Sequence, residues 1–176
     1  TANCSGCTVS GVCGKKPDVA AMQDLLVYAT KGLSAVAEEA RAEGKEVSPD
    51  LNHRVTMNLF ITITNANFDK DAIVDHIKET FAMRDAVRAT LSDSSKLPKA
   101  ATVEVAEKDY EIFAQSIGVL STENEDIRSL RELITYGLKG LAAYSKHANA
   151  LLKDDSNVDA FIQKALTKTL DDSLSV

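Results

Sequence analysis

Tryptophan is absent from this 176-residue chain, and only 5% of the residues are aromatic. The core must therefore be built from aliphatic and alanine side chains. Proline (3 residues) and glycine (8 residues) are scarce, which excludes a collagen-like or low-complexity chain. No run approaches the roughly 18 apolar residues of a membrane span, and no charged-then-apolar signal segment opens the sequence. These absences leave an ordinary globular chain.

Basic residues are outnumbered by acidic ones, 20 to 26, which gives a net charge of −6. Nucleic-acid-binding domains are usually basic, so this balance argues against a general nucleic-acid binder. The length corresponds to about one domain. Only three cysteines occur, all within the first 13 residues, and an odd number argues against a closed disulfide framework.

Apolar residues recur every three to four positions along most of the chain, which predicts six helices. The expected helices are about Pro17 to Arg41 with a stop near Gly44, residues 49–66, Asp69 to near Leu91, one after Pro98, one starting at Thr122-x-x-Glu125, and one from about Asn157. Proline in a first turn, an aspartate cap and a capping-box spacing are typical helix starts. The sequence therefore predicts an all-α fold.

The last three helices have expected buried faces. They comprise Ala106, Tyr110, Phe113 and Ile117 in the fourth helix, Ile127, Leu130, Ile134, Leu138 and Leu141 in the fifth, and Val158, Phe161, Ala165 and Leu166 in the sixth. Each set follows the helical period, so each predicts one face packed on the core.

The second segment is ambiguous between helix and strand. The alternation around Leu59 and Ile61 is typical of a strand, whereas Leu51, Val55 and Leu59 after Pro49 are spaced as in a helix. Nothing nearby could pair with a lone strand, so a helix is favoured.

An internal repeat is visible at a shift of 108 residues. Residues 22–40 (MQDLLVYATKGLSAVAEEA) align with residues 130–148 (LRELITYGLKGLAAYSKHA). Two amphipathic helices could look alike by chance, but the shared Tyr-x-x-Lys-Gly-Leu favours a true repeat. The pairs Tyr28/Tyr136 and Lys31/Lys139 are interpreted as repeat packing. Gly32 and Gly140 predict close helix contacts, because a glycine inside a helix usually has a packing reason.

The repeat predicts two three-helix units, the second truncated in its third helix, since residues 169–176 resemble 67–74. The expected organisation is a Cys-containing loop over residues 1–16, a first three-helix unit over 17–91, a connector with a helix over 92–123, and an incomplete second helical unit over 124–176. A missing third helix would leave apolar surface around Leu130, Phe161 and Leu166, which predicts self-association.

The cysteines form the pattern Cys4-x2-Cys7-x5-Cys13 on a glycine-rich segment. Thiolates favour zinc or iron–sulfur clusters, and Lys15 and Lys16 supply nearby positive charge. A four-iron cluster normally takes four cysteines, however, and only three are present. The residues alone leave both an iron–sulfur site and three free thiols open.

Several segments together resemble one known family. CTVSGVCGKKPDVAAMQDLLVYATKGLS, NLFITITNANFD, DIRSLRELITYGLKGLAAYSKHA and TLDDSLSV occur in the order found in the N-terminal helical domain of the hybrid-cluster proteins, also called hydroxylamine reductases or prismane proteins. The resemblance implies that Cys7 and Cys13 bind iron of a 4Fe-4S or 2Fe-2S cluster, with the first cysteine pair missing upstream. Cys4 matches no ligand of the family.

The resemblance also implies a function. The full-length family member is expected to be a cytoplasmic oxidoreductase that reduces hydroxylamine to ammonia, with nitric oxide reduction also possible, and that receives electrons from a donor protein. The catalytic hybrid Fe-S-O cluster has its ligands in later domains, so this chain alone is expected to hold no catalytic residue, no cofactor and no activity, and to serve electron entry and scaffolding. His53, His76 and His147 inherit no catalytic role. The alternatives are a carbon monoxide dehydrogenase relative and a cofactor-free helical interaction module; no nucleic-acid or membrane partner is expected.

Overall fold

The computed structural model describes residue 11 and residues 13–175, and all regular structure in these residues is helical. The α-helices are α1 (Pro17–Ala42), α2 (Pro49–Ile61), α3 (Lys70–Arg88), α4 (Lys99–Thr102), α5 (Tyr110–Ile117), α6 (Glu125–Ala150) and α7 (Ser156–Lys168). Short 3-10 turns over Glu107–Asp109 and Val119–Ser121 flank α5. The predicted all-α fold is confirmed, and the segment with the strand-like alternation is helical. Among the described helices, none combines the length and apolar character of a membrane span.

The centre of the fold is α1, which packs against α2, α3, α4, α5 and α7. Of its 26 residues, 14 are buried. Its N-terminal half contacts α3 and α5 through Leu25, Leu26, Ile73, Ile77, Phe81 and Tyr110, among others. Its C-terminal half joins a second cluster with α2, α6 and α7, including Leu33, Val36, Leu51, Val55, Leu59, Leu138, Ile162 and Leu166. The core is aliphatic, as the scarcity of aromatic residues predicts.

The helix starts are set by local side chains. Pro17 occupies the first turn of α1, where its missing N–H has no helical partner. The Asp69 carboxylate accepts from the Ala72 N–H at 3.1 Å, which confirms the predicted cap. The predicted Thr122–Glu125 capping box is wrong, because α6 begins at Glu125 with Asn124 as its cap. The Asn124 side chain accepts from two N–H groups of the first turn at 3.0 Å, which suits an asparagine cap.

Two predicted helices are shorter than expected. α2 ends at Ile61 rather than residue 66, and Asn65 adopts a left-handed φ of +65° in the turn that follows. The helix predicted after Pro98 is divided, because α4 ends at Thr102 and Val103 is extended. Tyr110 on α5 is buried as predicted, but Ala106 is exposed because it lies in the connecting segment.

The buried face of α6 differs from the prediction. Its buried residues are Thr135, Leu138 and Ala142. Of the predicted set, Leu138 is buried as predicted and Leu141 is partly buried against the core, whereas Leu130 and Ile134 are 41% and 43% exposed. Phe161 on α7 is likewise 59% exposed rather than buried. Leu166 is fully buried, so it does not belong to the predicted uncovered surface.

Helix lengths and ends follow the proposed repeat. α1 and α6 each have 26 residues, and α2 and α7 each have 13. Gly44 and Leu152, 108 positions apart, both take a positive φ just after their helix. The N–H of each bonds back to the carbonyl three residues earlier at 2.9 Å. These shared features agree with the repeat, which stays a prediction.

The packing of the repeated glycines is not shared. A Cβ on Gly32 would lie 2.1 Å from the Ala100 carbonyl oxygen, whereas no atom lies within 4 Å of a Cβ on Gly140. The predicted close contact at Gly140 is therefore wrong, because Gly140 is on the exposed side of α6. Tyr28 packs edge-on against Phe113, while its counterpart Tyr136 is 68% exposed and makes no equivalent packing.

Candidate functional site

The cysteine segment reaches α1 through a closed turn. The Gly14 N–H donates to the Gly11 carbonyl at 2.9 Å, and the Gly11 N–H donates to the Lys15 carbonyl at 3.0 Å. Cys13 lies inside this turn, half-buried and with a free thiol. The other two cysteines, Cys4 and Cys7, lie outside the described residues. The predicted pair Cys7 and Cys13 is therefore represented by its second member alone.

Two glycines are required by this turn. A Cβ on Gly11 would lie 3.0 Å from the Cys13 sulfur and 3.3 Å from the Lys15 Cβ, so any side chain would displace one of them. Gly14 has a φ of +87°, a conformation that side chains other than glycine rarely adopt. The glycines that the sequence places around Cys13 thus have a structural reason.

Lys15, two residues after Cys13, connects the turn to the rest of the fold. The Lys15 ammonium donates to the Gln23 side chain on α1 and lies 5.9 Å above the centre of the Phe68 ring. Gln23 in turn donates to the Asn67 carbonyl at 2.8 Å. These contacts fix the turn to α1 and to the segment before α3.

This turn fits one corner of an iron–sulfur site. A cysteine sulfur is the soft ligand that iron and zinc clusters prefer, and Cys13 holds one, half-buried and free, in the turn that precedes α1. Within the described residues there is no group of three or more Cys, His, Asp or Glu side chains that could hold a metal ion. Among the described residues, Cys13 therefore offers a single cysteine ligand, and a cluster bound here would need its other ligands from outside these residues.

The three histidines are dispersed. His53 bonds to Asp154 at 2.9 Å on the exposed side of α2. The His76 Nδ1 lies 2.8 Å from Arg54, and burial together with that cation lowers the pKa of His76. His147 packs edge-on against the Phe60 ring. Each histidine has its own separate partner, so the structure does not bring them together.

A second polar feature was missed by sequence reasoning. Lys31 and Lys139, assigned to repeat packing, both line a cavity of about 410 Å³ between α1 and α6, together with Asp24 and Glu132. The available signal was the acidic residue seven positions before the lysine in both helices. What the sequence could not show is that the two charged faces meet.

Comparison with known families matches residues 2–176 to the Prismane/CO dehydrogenase family. The chain belongs to this family. The match includes the cysteine segment as well as the helices. Family membership also agrees with the resemblance found in the sequence.

Similar proteins include three named as hydroxylamine reductases. The hydroxylamine reductase of Desulfovibrio desulfuricans is 54% identical over 172 residues, covering 97% of this chain and 32% of that protein. Hydroxylamine reductase 2 of Clostridium acetobutylicum is 48% identical, covering 100% of this chain and 35% of the relative. The hydroxylamine reductase of Clostridium perfringens is 50% identical, with 99% and 33% covered. The chain thus spans about a third of the length of these curated relatives.

Proposed function

We propose that this chain is the electron-entry and scaffolding part of an iron–sulfur oxidoreductase that reduces hydroxylamine to ammonia. The observation that carries the proposal is the 54% identity, over 97% of the chain, to a protein named hydroxylamine reductase. The closed turn around Cys13 supports it, because it holds a free cysteine directly before the central helix.

Cys7 and Cys13 are the residues of this chain that would bind iron, and Cys4 is given no role. When bound, an iron–sulfur cluster accepts and releases one electron at a time. The chain's own part is to hold the Cys13 thiol in the turn, to keep space for it at Gly11, and to attach the turn to α1 through the Lys15–Gln23 hydrogen bond. The α-helices behind the turn supply the rigid support.

The substrate chemistry is assigned to parts of the protein outside this chain. Conversion of hydroxylamine to ammonia and water consumes two electrons and two protons and breaks the N–O bond. Amino-acid side chains are not redox centres, so a cofactor must carry this step. We therefore expect the 176-residue chain alone to be inactive. In the complete protein, which we expect to be cytoplasmic, a donor protein would supply the electrons.

The test uses the complete protein that contains this segment, with serine substitutions at its cysteines. Cys7→Ser and Cys13→Ser are expected to lower the iron content, to weaken the absorbance near 400 nm that bleaches with dithionite, and to slow hydroxylamine reduction by reduced viologen. Cys4→Ser is the matched control and is expected to leave all three unchanged. Anaerobic preparation is required, since a cluster at this loop would be oxygen-labile.

Three results would contradict the proposal. A complete protein that is colourless and iron-free after anaerobic preparation would indicate the cofactor-free helical module instead. A protein that binds iron and oxidises carbon monoxide, but does not reduce hydroxylamine, would indicate the carbon monoxide dehydrogenase alternative. Hydroxylamine turnover by the 176-residue chain alone would contradict the assignment of the substrate site to other parts.

A further inference from the structure

The cavity between α1 and α6 is lined by charged side chains of both helices. Its walls also include residues 116–117 at the end of α5, residues 118–119 and 121–122 after it, and residues 169–170 and 172 after α7. The basic residues on its walls are Lys31, Lys99, Arg128, Arg131 and Lys139, and the acidic ones are Asp24, Glu132 and Asp172. The lining therefore has an excess of two positive charges. A volume of about 410 Å³ lies within the range of ligand pockets.

Some of these cations are held in place by the protein. Arg128 donates to the Thr122 carbonyl at 3.0 Å, and Lys139 donates to the Thr62 carbonyl at 3.1 Å. Arg131 donates to the Asp171 carbonyl at 3.0 Å and to the Asp172 carboxylate at 2.8 Å. Each arginine keeps further N–H donors beyond these bonds, because a guanidinium has five.

Lys31 is the cavity lysine that lies most directly between charges of both signs. Among the described residues, no carboxylate oxygen lies within 4.0 Å of its ammonium. Glu132 on α6 and Asp24, two turns earlier on α1, attract it, and Arg131 and Lys139 on α6 repel it. Burial lowers the pKa of Lys31 to about 8. A partly desolvated ammonium without a direct counter-ion is stabilised by any anion that enters the cavity.

We propose that this cavity binds a small oxyanion of the phosphate or sulfate class, held by Lys31 and the guanidinium of Arg128. The charge excess selects an anion over a cation. Lysine and arginine are the side chains that bind such oxyanions through charged hydrogen bonds. This site is separate from the cysteine turn. If no oxyanion binds in the cavity, the proposed iron–sulfur role is therefore unaffected.

Proton uptake gives the proposal a specific signature. An anion beside Lys31 favours the protonated amine, so binding at a pH near 8 must draw protons from solution. Sulfate is the better probe for this measurement, because it does not itself titrate in that range. Isothermal calorimetry with sulfate in two buffers of different ionisation enthalpy, at constant ionic strength, counts the protons taken up.

The test compares Lys31→Met with Lys164→Met. Both remove one lysine charge, but Lys164 is exposed on α7 and does not line the cavity. Lys31→Met is expected to weaken sulfate binding about tenfold or more and to abolish the proton uptake. Lys164→Met is expected to change neither. Arg128→Gln is a second variant, expected to weaken binding while leaving the uptake at Lys31.

The same titration with inorganic phosphate and with glycerol phosphate shows whether the cavity prefers the free ion or a phosphate ester. Saturable binding of either compound supports the proposed site. Circular dichroism confirms that each variant is folded. The proposal is overturned if the wild-type chain shows no saturable binding of any of the three probes at millimolar concentration. It is also overturned if Lys31→Met and Lys164→Met bind equally well.

Discussion

The carbonyl oxygen of Ala100 lies 2.1 Å from the point that a Cβ on Gly32 would occupy. The same oxygen accepts a hydrogen bond from Arg84 at 3.1 Å. Arg84 is almost fully buried, pairs with Asp85 and lies 4.6 Å from the centre of the Phe81 ring. The absence of a side chain at Gly32 therefore allows α4 to contact α1 and places an acceptor for a buried arginine.

We expect Gly32→Ala to lower the free energy of unfolding by at least about 2 kcal/mol. The methyl group would meet a backbone atom that cannot rotate away, so α4 must move, and overpacking of this kind exceeds the gain in helix propensity. Urea unfolding followed by circular dichroism measures the change.

Gly140→Ala is the matched control at the repeat-related position. No atom lies within 4 Å of the added Cβ, so only the helix propensity changes, and a gain of up to about 1 kcal/mol is expected. Equal effects at the two sites would show that the Ala100 contact is unimportant.

A second prediction concerns Asn58, which joins three helices. Its amide nitrogen donates to the Thr30 hydroxyl at 3.0 Å and to the Thr80 hydroxyl at 2.7 Å. Both hydroxyls donate to carbonyls of their own helices, so they need a donor between them. Asn58→Asp places a buried carboxylate against two acceptors. We expect this substitution to lower the free energy of unfolding by about 3 kcal/mol or more at neutral pH.

The decrease in the free energy of unfolding caused by Asn58→Asp should be smaller in acid, because a protonated carboxyl group again offers one hydrogen-bond donor. Asn157→Asp is the control, since Asn157 is exposed in the first turn of α7, where a negative charge is tolerated. A loss at position 58 that is independent of pH would argue against this explanation.

A third prediction links stability to pH through Asp24 and Lys31. Burial raises the pKa of Asp24 from 3.8 to about 6. Between these values the folded state binds more protons than the unfolded state, so the free energy of unfolding falls as the pH rises. Burial lowers the pKa of Lys31 from 10.5 to about 8. In that upper range the unfolded state binds more protons, so stability rises with pH.

These two groups therefore destabilise the fold most between about pH 6 and 8. Asp24→Asn is expected to raise the free energy of unfolding by about 1–2 kcal/mol in this window, with the difference vanishing near pH 4. Chemical unfolding of the wild-type protein and of Asp24→Asn across the pH range measures this difference in the free energy of unfolding. A constant difference at all pH values would contradict the titration of Asp24.

A fourth prediction concerns the uncovered side of α6. Leu133 and Tyr136 are each 68% exposed and Tyr144 is 81% exposed, beside the open surface at Gly137 and Gly140. An apolar stripe of this kind favours association, so we expect the 176-residue chain to dimerise as its concentration increases.

Leu133→Glu is expected to shift this equilibrium to monomer in sedimentation velocity. The control Ile112→Glu changes a side chain that is 71% exposed on α5, away from the stripe, and should leave association unchanged. A monomer at every concentration would refute the prediction.

A fifth prediction uses the two helix ends. Leu152 holds a left-handed φ of +57° where Gly44 has +75°. Leu152→Gly is expected to raise the free energy of unfolding by about 1 kcal/mol, since leucine is strained in this conformation. Gly44→Ala, the reciprocal change, should lower it by a similar amount. Thermal unfolding of both variants is sufficient, and destabilisation by Leu152→Gly would exclude strain as the dominant effect.

Features that depend on neighbouring residues were predictable. The start of α1 at Pro17, the cap at Asp69 and the burial of Tyr110 follow from spacing and side-chain type alone. The N-terminal cap of α6 was not predictable from the sequence. Thr122 and Asn124 are both good capping residues, and the choice between them depends on where the chain leaves the preceding turn. Cys13 and its glycines were likewise visible as a pattern.

Features that depend on tertiary contacts were not predictable. Leu130, Ile134 and Leu138 all follow one helical period on α6, and only the packing against α2 and α7 decides that Leu138 is buried while Leu130 and Ile134 are exposed. The charged cavity requires Lys31 and Glu132, more than one hundred residues apart in sequence, to face each other. No local pattern contains that information.

The central position of α1 has a consequence for biosynthesis. α1 precedes every helix that covers it, and α7, which closes its C-terminal half, ends about 125 residues later. At translation rates of about 5–20 residues per second, this interval is roughly 6–25 s. For that time the apolar face of α1 remains without its full set of partners at the ribosome, which makes it the segment of this chain on which nascent-chain chaperones would act.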